Sequence, residues 1–386
     1  MKKKLICAVL SAFILSAVPV LRSSAVSEEK FHVPKGWLLW HSYTTYEERD
    51  SQLYLQNPQG DISEITGDFI HAMNGNFGNS PDEIVFMAID ENADEWDIFL
   101  YDDKIVTNLT ENSGYRNEDP KWSPDGKSIV FKRGYWNAEV NDFTYDLALI
   151  DVESREIKML TDSLYEDAMP YFSDDGRYIY YTKYIDGYGK IARLNAETGE
   201  DEIIFEEENV TSYYPIVKNG LLYFTKWYSY DNHHDEIIIY EDNTFKSAAF
   251  NSEIYDCSDA CPIDKDKIIY SSTINGSYSL FYSDGDESVE IPEVNTDRNE
   301  LGADFFSYSE YEDLIRNNVA GDVNADGELN IADVVLMQKW LLAVPDVKLA
   351  NWEAADLCED GELNVFDLCL MKRELLSDKL KQRLFV

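Results

Sequence analysis

Hydrophobic and polar residues alternate in short runs along most of the chain. Around residue 118 the chain reads EDPKWSPDGKSIVF, and around residue 166 it reads EDAMPYFSDDGRYIYY. Each stretch combines a short apolar run, a tight polar turn and a second run with a period of two, which is the period of a β-strand. The Asp-Gly pairs in the turns provide the backbone conformation that a hairpin needs. The pattern therefore predicts antiparallel β-hairpins.

The hairpin unit recurs between residues 31 and 308. Weaker copies read NFGNSPDEIVF, YPIVKNGLLYF, CPIDKDKIIYS and VPKGWLLW. Leucine or isoleucine followed by threonine closes three of the units, at Thr66, Thr110 and Thr161. Six four-stranded units in a row predict a mainly β fold, a six-bladed β-propeller. A seven-bladed ring is the alternative, and it would need one more blade than the repeats provide.

The first unit lacks an innermost strand of its own. The sequence GADFFSYS at 302–309 is similar to the innermost strands of the third and fourth units, PKWSPD and PYFSDD. We therefore expect residues 302–309 to close the ring by pairing with residues 37–42.

One turn of the repeat carries a family resemblance. Its sequence Trp122-Ser123-Pro124-Asp125-Gly126 matches the W-S-P-D-G turn of TolB-like propellers, and the copy that ends at Gly176 is close to it. The repeats thus resemble those of TolB-like propellers over residues 31–309. This resemblance implies the six-bladed ring and specifies no activity.

After residue 320 the hydrophobic period changes to that of helices. The stretches DVNADGELNIAD and DLCEDGELNVFD begin at Asp322 and Asp356, in matching register. Oxygen-bearing residues at positions one, five, nine and twelve, with glycine at six, suit a loop wrapped around a hard cation. Apolar residues at helical spacing follow each loop; they are Val334, Val335, Met337 and Leu341, then Leu368, Leu370, Met371 and Leu375.

Two such loops, each ending in aspartate and followed by one helix, resemble the type I dockerin. Dockerins of this type bind the cohesin modules of a cellulosome scaffoldin. The resemblance implies a small all-α, duplicated calcium-loop (F-hand) module at 320–378, preceded by a linker at 310–319 and followed by a tail at 379–386. It assigns two calcium ions to Asp322, Asn324, Asp326, Glu328, Asn330 and Asp333, and to Asp356, Asp360, Glu362, Asn364 and Asp367. Glu328 and Glu362 would contribute their backbone carbonyls.

The dockerin resemblance also places the cohesin contacts. By position they are Ile331, Ala332, Gln338 and Lys339 after the first loop, and Val365, Phe366, Lys372 and Arg373 after the second. Ala332 and Phe366 differ markedly, which argues against equivalent binding by the two halves. The identity of the cohesin is left open.

The third position of the second loop holds Cys358, where the first loop has Asn324. Both loops keep three carboxylates, water can replace one neutral oxygen, and calcium has little use for a soft thiol. We therefore expect the second loop to bind calcium with the thiol as a bystander. A redox pair with Cys369 is the alternative, but Cys369 matches Val335 and is expected in the core of its helix.

The amino-terminal residues 1–25 have the features of a signal peptide. Three lysines precede an apolar run, and Ser23 and Ala25 are small residues before the expected cleavage site. An uncleaved membrane anchor is the alternative. Cleavage would predict a secreted, extracellular, cellulosome-associated protein without membrane insertion, and it would leave four cysteines. Cys257 and Cys261 either pair locally or remain free.

The charge of the chain limits its partners. The net charge is −41, and removing residues 1–25 with their four positive charges would leave −45. Such a polyanion repels nucleic acid and anionic lipid, so neither is expected as a partner.

Loops on one face of the predicted propeller combine aromatic, carboxylate and amide residues. This composition suits carbohydrates, whose rings offer apolar C–H faces and polar hydroxyl rims. The expected ligand face consists of Tyr135, Trp136, Tyr184, Tyr188, Trp227 and Tyr228. We expect a binding or accessory module for plant polysaccharide.

Two further functions stay open for the propeller. A glycoside hydrolase or polysaccharide lyase would use paired carboxylates, but no pair can be singled out among the 74 acidic residues. The catalytic residues are therefore unknown, and the G-x-S-x-G and H-E-x-x-H motifs are absent from the sequence. A protein–protein adaptor is the other alternative.

Overall fold

The computed structural model describes residues 32–384 except 139–140, 165, 230–231, 242, 318, 346, 359 and 362. The expected signal peptide lies outside the described residues. Within the described part of the chain, no helix has both the length and the apolar character required to cross a membrane.

In the described residues, twenty-four strands form six four-stranded antiparallel sheets, which we call blades I to VI. Blade I contains β1 (Gly36–Tyr43), β2 (Gln52–Gln56) and β3 (Ile62–Glu64). Blade II contains β4 (His71–Phe77), β5 (Glu83–Ile89), β6 (Asp97–Asp102) and β7 (Ile105–Asn108). Blade III contains β8 (Arg116–Trp122), β9 (Ser128–Asn137), β10 (Asp142–Asp151) and β11 (Ile157–Met159).

Blades IV to VI follow the same order. Blade IV contains β12 (Glu166–Phe172), β13 (Tyr178–Ile185), β14 (Tyr188–Asn195) and β15 (Asp201–Phe205). Blade V contains β16 (Thr211–Lys218), β17 (Leu221–Ser229), β18 (Asn232–Glu241) and β19 (Thr244–Ser247). Blade VI contains β20 (Cys257–Asp264), β21 (Lys267–Ser272), β22 (Ser279–Ser283) and β23 (Ser288–Glu290). The last strand, β24 (Asn299–Ser307), returns to blade I.

The ring is closed by the first and last strands of the propeller. In blade I the strand order is β24-β1-β2-β3, and Trp37 pairs with Phe306 while His41 pairs with Leu301. The innermost strands β24, β4, β8, β12, β16 and β20 each contact the next one around the ring. The prediction of a six-bladed propeller closed by the segment after residue 301 is confirmed, so the seven-bladed alternative is wrong.

The SPDG turn joins the first and second strands of blade III. The Ser123 hydroxyl donates to Asp125 Oδ1 (2.7 Å) and accepts from the Ser128 backbone N–H (3.0 Å). Gly126 has φ +67°, a conformation that costs glycine little. Blade IV repeats the arrangement with Ser173 and Asp175. The recurring sequence therefore encodes a turn held by its own side chains.

The Leu/Ile-Thr pairs at the ends of blades I to III hold the third strand. In blade II the Thr110 hydroxyl accepts from the Ile98 N–H (3.0 Å) and donates to Asp97 Oδ1 (2.7 Å). Thr66 and Thr161 make the corresponding bonds in blades I and III. In blades V and VI, asparagine side chains bond the matching backbone groups instead. We call these contacts the blade clasps.

Each innermost strand contains one residue with a left-handed backbone. The φ angles lie between 51 and 59°, and the pairing register shifts nearby in every blade. The residues are Asn74, Asp119, Met169, Tyr214, Asp259 and Gly302. Five of the six are not glycine, so this conformation is strained and is maintained by the surrounding ring.

The segment expected as a linker, 310–319, is largely helical. Helix α1 (Tyr308–Asn317) follows β24 directly, and Ser307 and Glu310 form a reciprocal capping box of 3.1 and 2.9 Å. Tyr308 and Tyr311 contact the Trp37 ring, and Glu310 pairs with Lys218 of blade V at 3.3 Å. The start of the segment is therefore attached to the propeller.

The carboxy-terminal module has two helices, α2 (Ile331–Leu341) and α3 (Val365–Leu384). Val323, Val334, Met337, Leu368 and Met371 are among the buried residues of its core, which confirms the helical apolar pattern. Two expected core positions, Val335 and Cys369, are exposed instead. The prediction that Cys369 is a core residue is therefore wrong, because its helix turns this side chain away from the packed stripe.

None of the four cysteines in the described residues forms a disulfide. Cys257 and Cys261 are free and buried, and Cys358 and Cys369 are free and exposed. The Cys257 thiol donates weakly to the Phe250 carbonyl and the Ser272 hydroxyl, at 3.7 Å each. In this structure the cysteines therefore act as packing residues or exposed thiols and form no cross-links.

The blade clasps predict a specific loss of stability. We expect Thr110→Val to lower the free energy of unfolding by about 1–2 kcal/mol, because the buried Ile98 N–H and Asp97 carboxylate each lose a partner. The measurement is the midpoint of urea unfolding in saturating calcium. Thr107→Val, on the edge strand β7 of the same blade, is the matched control and should change stability by less than about 0.5 kcal/mol. Equal midpoints for the two variants would refute the role of the clasp.

Candidate functional site

The first candidate loop is organised around two buried carboxylates. Asp322 accepts backbone N–H bonds from Asp326 (3.2 Å) and Gly327 (2.7 Å). Asp333 accepts them from Asn324 (3.2 Å) and from Asn330 (2.8 Å). Each carboxylate thereby holds two backbone positions of the loop together. Oxygen atoms of Asp322, Asp326 and Asp333 all lie within 4.8 Å of one another.

The second loop repeats this backbone arrangement. Asp356 accepts from the N–H groups of Asp360 (3.2 Å) and Gly361 (2.8 Å). Asp367 accepts from Cys358 (3.2 Å) and from Asn364 (2.9 Å). The potential ligand atoms that lie within 4.8 Å of one another belong to Asp356, Cys358 and Asp367.

The donor chemistry of both loops fits a hard divalent cation. Burial raises the pKa of the Asp333 carboxyl, and the negative charges of Asp322 and Asp326 raise it further. A bound cation would offset this concentration of negative charge. Glu328 and Asn330 lie within the first loop, at the positions that calcium loops use for a backbone carbonyl and a side-chain ligand. Glu362 lies outside the described residues.

The expected cohesin contacts lie mainly on the surface. Ile331, Ala332, Lys339, Val365, Phe366 and Arg373 are exposed, and Gln338 and Lys372 are half-buried. Phe366 is 70% exposed, which is unusual for so large an apolar side chain. Leu342 and Leu376, at matching positions of the two repeats, are also exposed and were not among the expected contacts. The sequence does show leucine at the same position of both repeats, and this match could have indicated a shared surface role.

The aromatic residues of the expected ligand face are distributed over blades III, IV and V. Trp136 packs edge-on against Phe143, and the Tyr228 hydroxyl donates to Glu236 (3.2 Å). Burial raises the pKa of Tyr184 to about 12, with a smaller effect of Glu166. Trp227 is half-buried, and Tyr135 and Tyr188 lie at strand ends.

A cavity on this face lies elsewhere. A cavity of about 360 Å³ opens between blades I, II and III, and none of the six expected aromatic residues lines it. Its lining comes from the β1–β2 loop, the β5–β6 loop and the starts of β4 and β8. The residues are Tyr46, Glu47, Arg49, His71, Ile89, Asp94, Glu95, Trp96 and Arg116. None of these residues was among the expected ligand residues, because the convergence of the two loops depends on the arrangement of the blades.

The cavity combines aromatic rings with charged groups. The His71 ring lies between Trp96 and Tyr46, with centroid distances of 4.7 and 5.9 Å. Burial and then the charge of Arg49 lower the pKa of His71 to about 4, so its imidazole is neutral at pH 7. Arg116 is held by Glu118. The cavity therefore offers apolar ring surfaces beside oriented hydrogen-bonding groups.

The centre of the propeller is nearly filled by polar side chains. Asn74 donates to Asp119 (2.8 Å), and the Gly302 N–H donates to Asp259 (3.1 Å). The cavity between Asn74, Asp119, Lys121 and the inner strands of blades IV and V measures about 10 Å³. This is about the space of one water molecule. Burial raises the pKa of Asp259 to about 6, opposed by the Gly302 hydrogen bond and by Lys121.

Comparison with known proteins relates the two parts of the chain to different groups. Residues 320–376 match the family model of the dockerin type I domain. No curated protein matches the chain by sequence. The carboxy-terminal module is thus identified by its own sequence.

The propeller has structural relatives of low sequence identity. TolB from Acinetobacter baumannii has 13% identity and a TM-score of 0.55, with 70% of this chain and 66% of that chain covered. Hydrazine synthase from Kuenenia stuttgartiensis has 12% identity and a TM-score of 0.59, with 70% of this chain and 46% of that chain covered. The chain therefore spans less than two thirds of either relative. At these identities the likeness establishes the fold.

The two loops predict a calcium stoichiometry of two. We expect isothermal titration of the full chain to find two calcium ions, and Asp333→Ala or Asp367→Ala each to leave one, because each removes the carboxylate that closes its loop. Glu328→Ala is the control and should retain two ions, since position seven offers a backbone carbonyl. A single ion in the wild-type chain would contradict the prediction.

The raised pKa of Asp259 predicts a pH-dependent stability. The folded state holds this proton more tightly than the unfolded state, so the contribution of Asp259 to stability decreases as the pH rises from about 4 to about 6. We expect Asp259→Asn to raise the melting temperature relative to the wild type at pH 8 and to have a smaller effect at pH 4. The amide oxygen can still accept the Gly302 bond.

The control for this prediction is Asp286→Asn, in the exposed turn before β23. Melting curves in saturating calcium should show an equal shift for this variant at both pH values. An Asp259→Asn effect that is the same at pH 4 and pH 8 would show that burial of the charge does not limit stability.

Proposed function

We propose that this chain, whose residues 320–376 form a dockerin type I module, is a secreted cellulosome subunit that carries a polysaccharide-binding propeller. A dockerin module supports cohesin anchoring in general. Secretion, the plant polysaccharide ligand and the binding role of the propeller are the parts that we add.

The exposed apolar residues of the module support anchoring. Phe366 and Val365 begin α3, next to the second loop, and Ile331 begins α2, next to the first. Calcium bound in a loop would fix the first turn of the following helix, and with it these side chains. Docking would then remove them from water, which stabilises a complex in proportion to the apolar area buried. This coupling makes the attachment calcium-dependent.

The cavity between blades I, II and III supports the proposal of a glycan ligand. Its volume of about 360 Å³ lies in the range of small-ligand sites. Tyr46, which is 56% exposed, provides a ring surface for the C–H face of a sugar, and the buried Trp96 and His71 form the wall behind it. Arg49, Glu47 and Glu95 provide donors and acceptors for hydroxyl groups, so both requirements of a glycan are met in one place.

A catalytic propeller would be a glycoside hydrolase or polysaccharide lyase. Two carboxyl groups have a pKa that burial raises to about 6: Asp259 in the central network and Asp167 at the start of β12. The cavity of about 10 Å³ at the centre, which Asp119 and Lys121 line, is much smaller than a sugar ring. A sugar ring does not fit there, so the binding proposal rests on the cavity between blades I, II and III. A protein–protein adaptor, the third function, would show neither glycan retention nor turnover.

The proposed site predicts which aromatic residue controls glycan retention. We expect the full chain to bind a plant polysaccharide on an array, and Tyr46→Ala to weaken binding about tenfold, through loss of a stacking contact of about 1–1.5 kcal/mol. Trp136→Ala is a matched control on the same face, because Tyr46 and Trp136 are 56% and 55% exposed. The control should bind like the wild type.

The same samples distinguish the alternative functions. Reducing-sugar and unsaturated-uronate assays on the retained polysaccharides should show no product. Product formation would overturn the binding proposal in favour of a hydrolase or a lyase. A loss of retention in Trp136→Ala but not in Tyr46→Ala would move the site to the aromatic residues of blades III to V.

A further inference from the structure

The two metal loops differ in one potential ligand. In the first loop, oxygens of positions one, five and twelve come together, from Asp322, Asp326 and Asp333. In the second loop the corresponding cluster uses positions one, three and twelve, from Asp356, Cys358 and Asp367. The backbone bonds that close the loops are otherwise the same. At position three the second loop therefore places a sulfur beside the carboxylates of positions one and twelve, where the first loop has the amide of Asn324.

The thiol lies close enough to share an ion with both carboxylates. Two atoms bound to one cation at about 2.3–2.4 Å are at most about 4.8 Å apart. Cys358 Sγ, Asp356 and Asp367 meet this limit, with Sγ 3.7 Å from Asp356 Oδ1. Cys358 is also exposed, so an ion in solution can reach its sulfur.

We propose that the second loop accepts a thiophilic divalent cation, zinc or cadmium, with Cys358 as a ligand. Thiolate sulfur favours such cations, whereas calcium favours oxygen. The first loop offers Asn324 at this position and so presents oxygen donors throughout. When calcium occupies the second loop, the thiol does not coordinate it. When a thiophilic ion occupies the loop, the thiol is a ligand. The two loops therefore differ in cation preference.

Binding through sulfur requires the thiol to lose its proton. The Sγ–H bond breaks, the sulfur electron pair forms the bond to the cation, and the proton passes to water. Asp356 and Asp367 supply carboxylate oxygens, and water completes the coordination. No oxidant or reductant takes part.

The test uses the full chain, stripped of metal with a chelator and titrated with cadmium. We expect sulfur-to-cadmium charge-transfer absorption in the ultraviolet for the wild type and its loss in Cys358→Asn. This variant gives the second loop the same residue as the first, and it should still bind two calcium ions, which shows that its loop is intact. Cys369→Ser should keep the absorption.

A gain-of-function variant tests whether position three is sufficient. Asn324→Cys should add a second cadmium–thiolate absorption of similar size. The proposal is overturned if the wild type lacks the absorption, if Cys358→Asn retains it, if Cys369→Ser loses it, or if Asn324→Cys adds none. Because these outcomes do not involve glycan or cohesin, they are independent of the function proposed above.

Discussion

The pairing of β24 with β1 is the interaction on which the propeller depends. It joins residues that are more than 250 positions apart and completes blade I. Every innermost strand therefore contacts the innermost strands of the two adjacent blades. Arg298, just before β24, strengthens the joint by donating to the Ser42 hydroxyl (3.1 Å) and to the carbonyls of Ser42 (3.2 Å) and Asp50 (2.9 Å). A ring closed in this way leaves no innermost strand unpaired.

Closure also explains how strained backbone is tolerated. The left-handed residues of the inner strands, such as Asp119 and Tyr214, would be unfavourable in an isolated hairpin. In the ring they are compensated by contacts between blades, for example the Asn74–Asp119 bond and the bond from Trp122 N–H to Asn76 (2.9 Å). Contacts between blades therefore hold the polar side chains at the centre of the propeller together.

Most features that the sequence predicted are governed by local spacing, and the long-range closure of the ring was predictable because residues 302–309 are similar to the innermost strands of other units. The SPDG turn, the hairpins and both calcium loops depend on residues within about twelve positions, and their bonds lie within those segments. Helix α1 was also predictable, since Ser307 and Glu310 have capping-box spacing. By contrast, the cavity joins Tyr46 to Trp96 across two blades, and the left-handed Met169 carries no residue signal. These features arise only when the blades assemble.

The position of helix α1 determines which contacts would break first if the chain were pulled from its carboxy-terminal module. It lies directly between the strand that closes the ring and the segment that continues to the docking module. Tension applied through an anchored module would reach Tyr308 and Tyr311 at Trp37, and Glu310 at Lys218, before it reached β24. These contacts would have to break before load could separate the closing strand from β1. In a subunit anchored through its dockerin module, the capped helix would therefore bear load before the closing strand does.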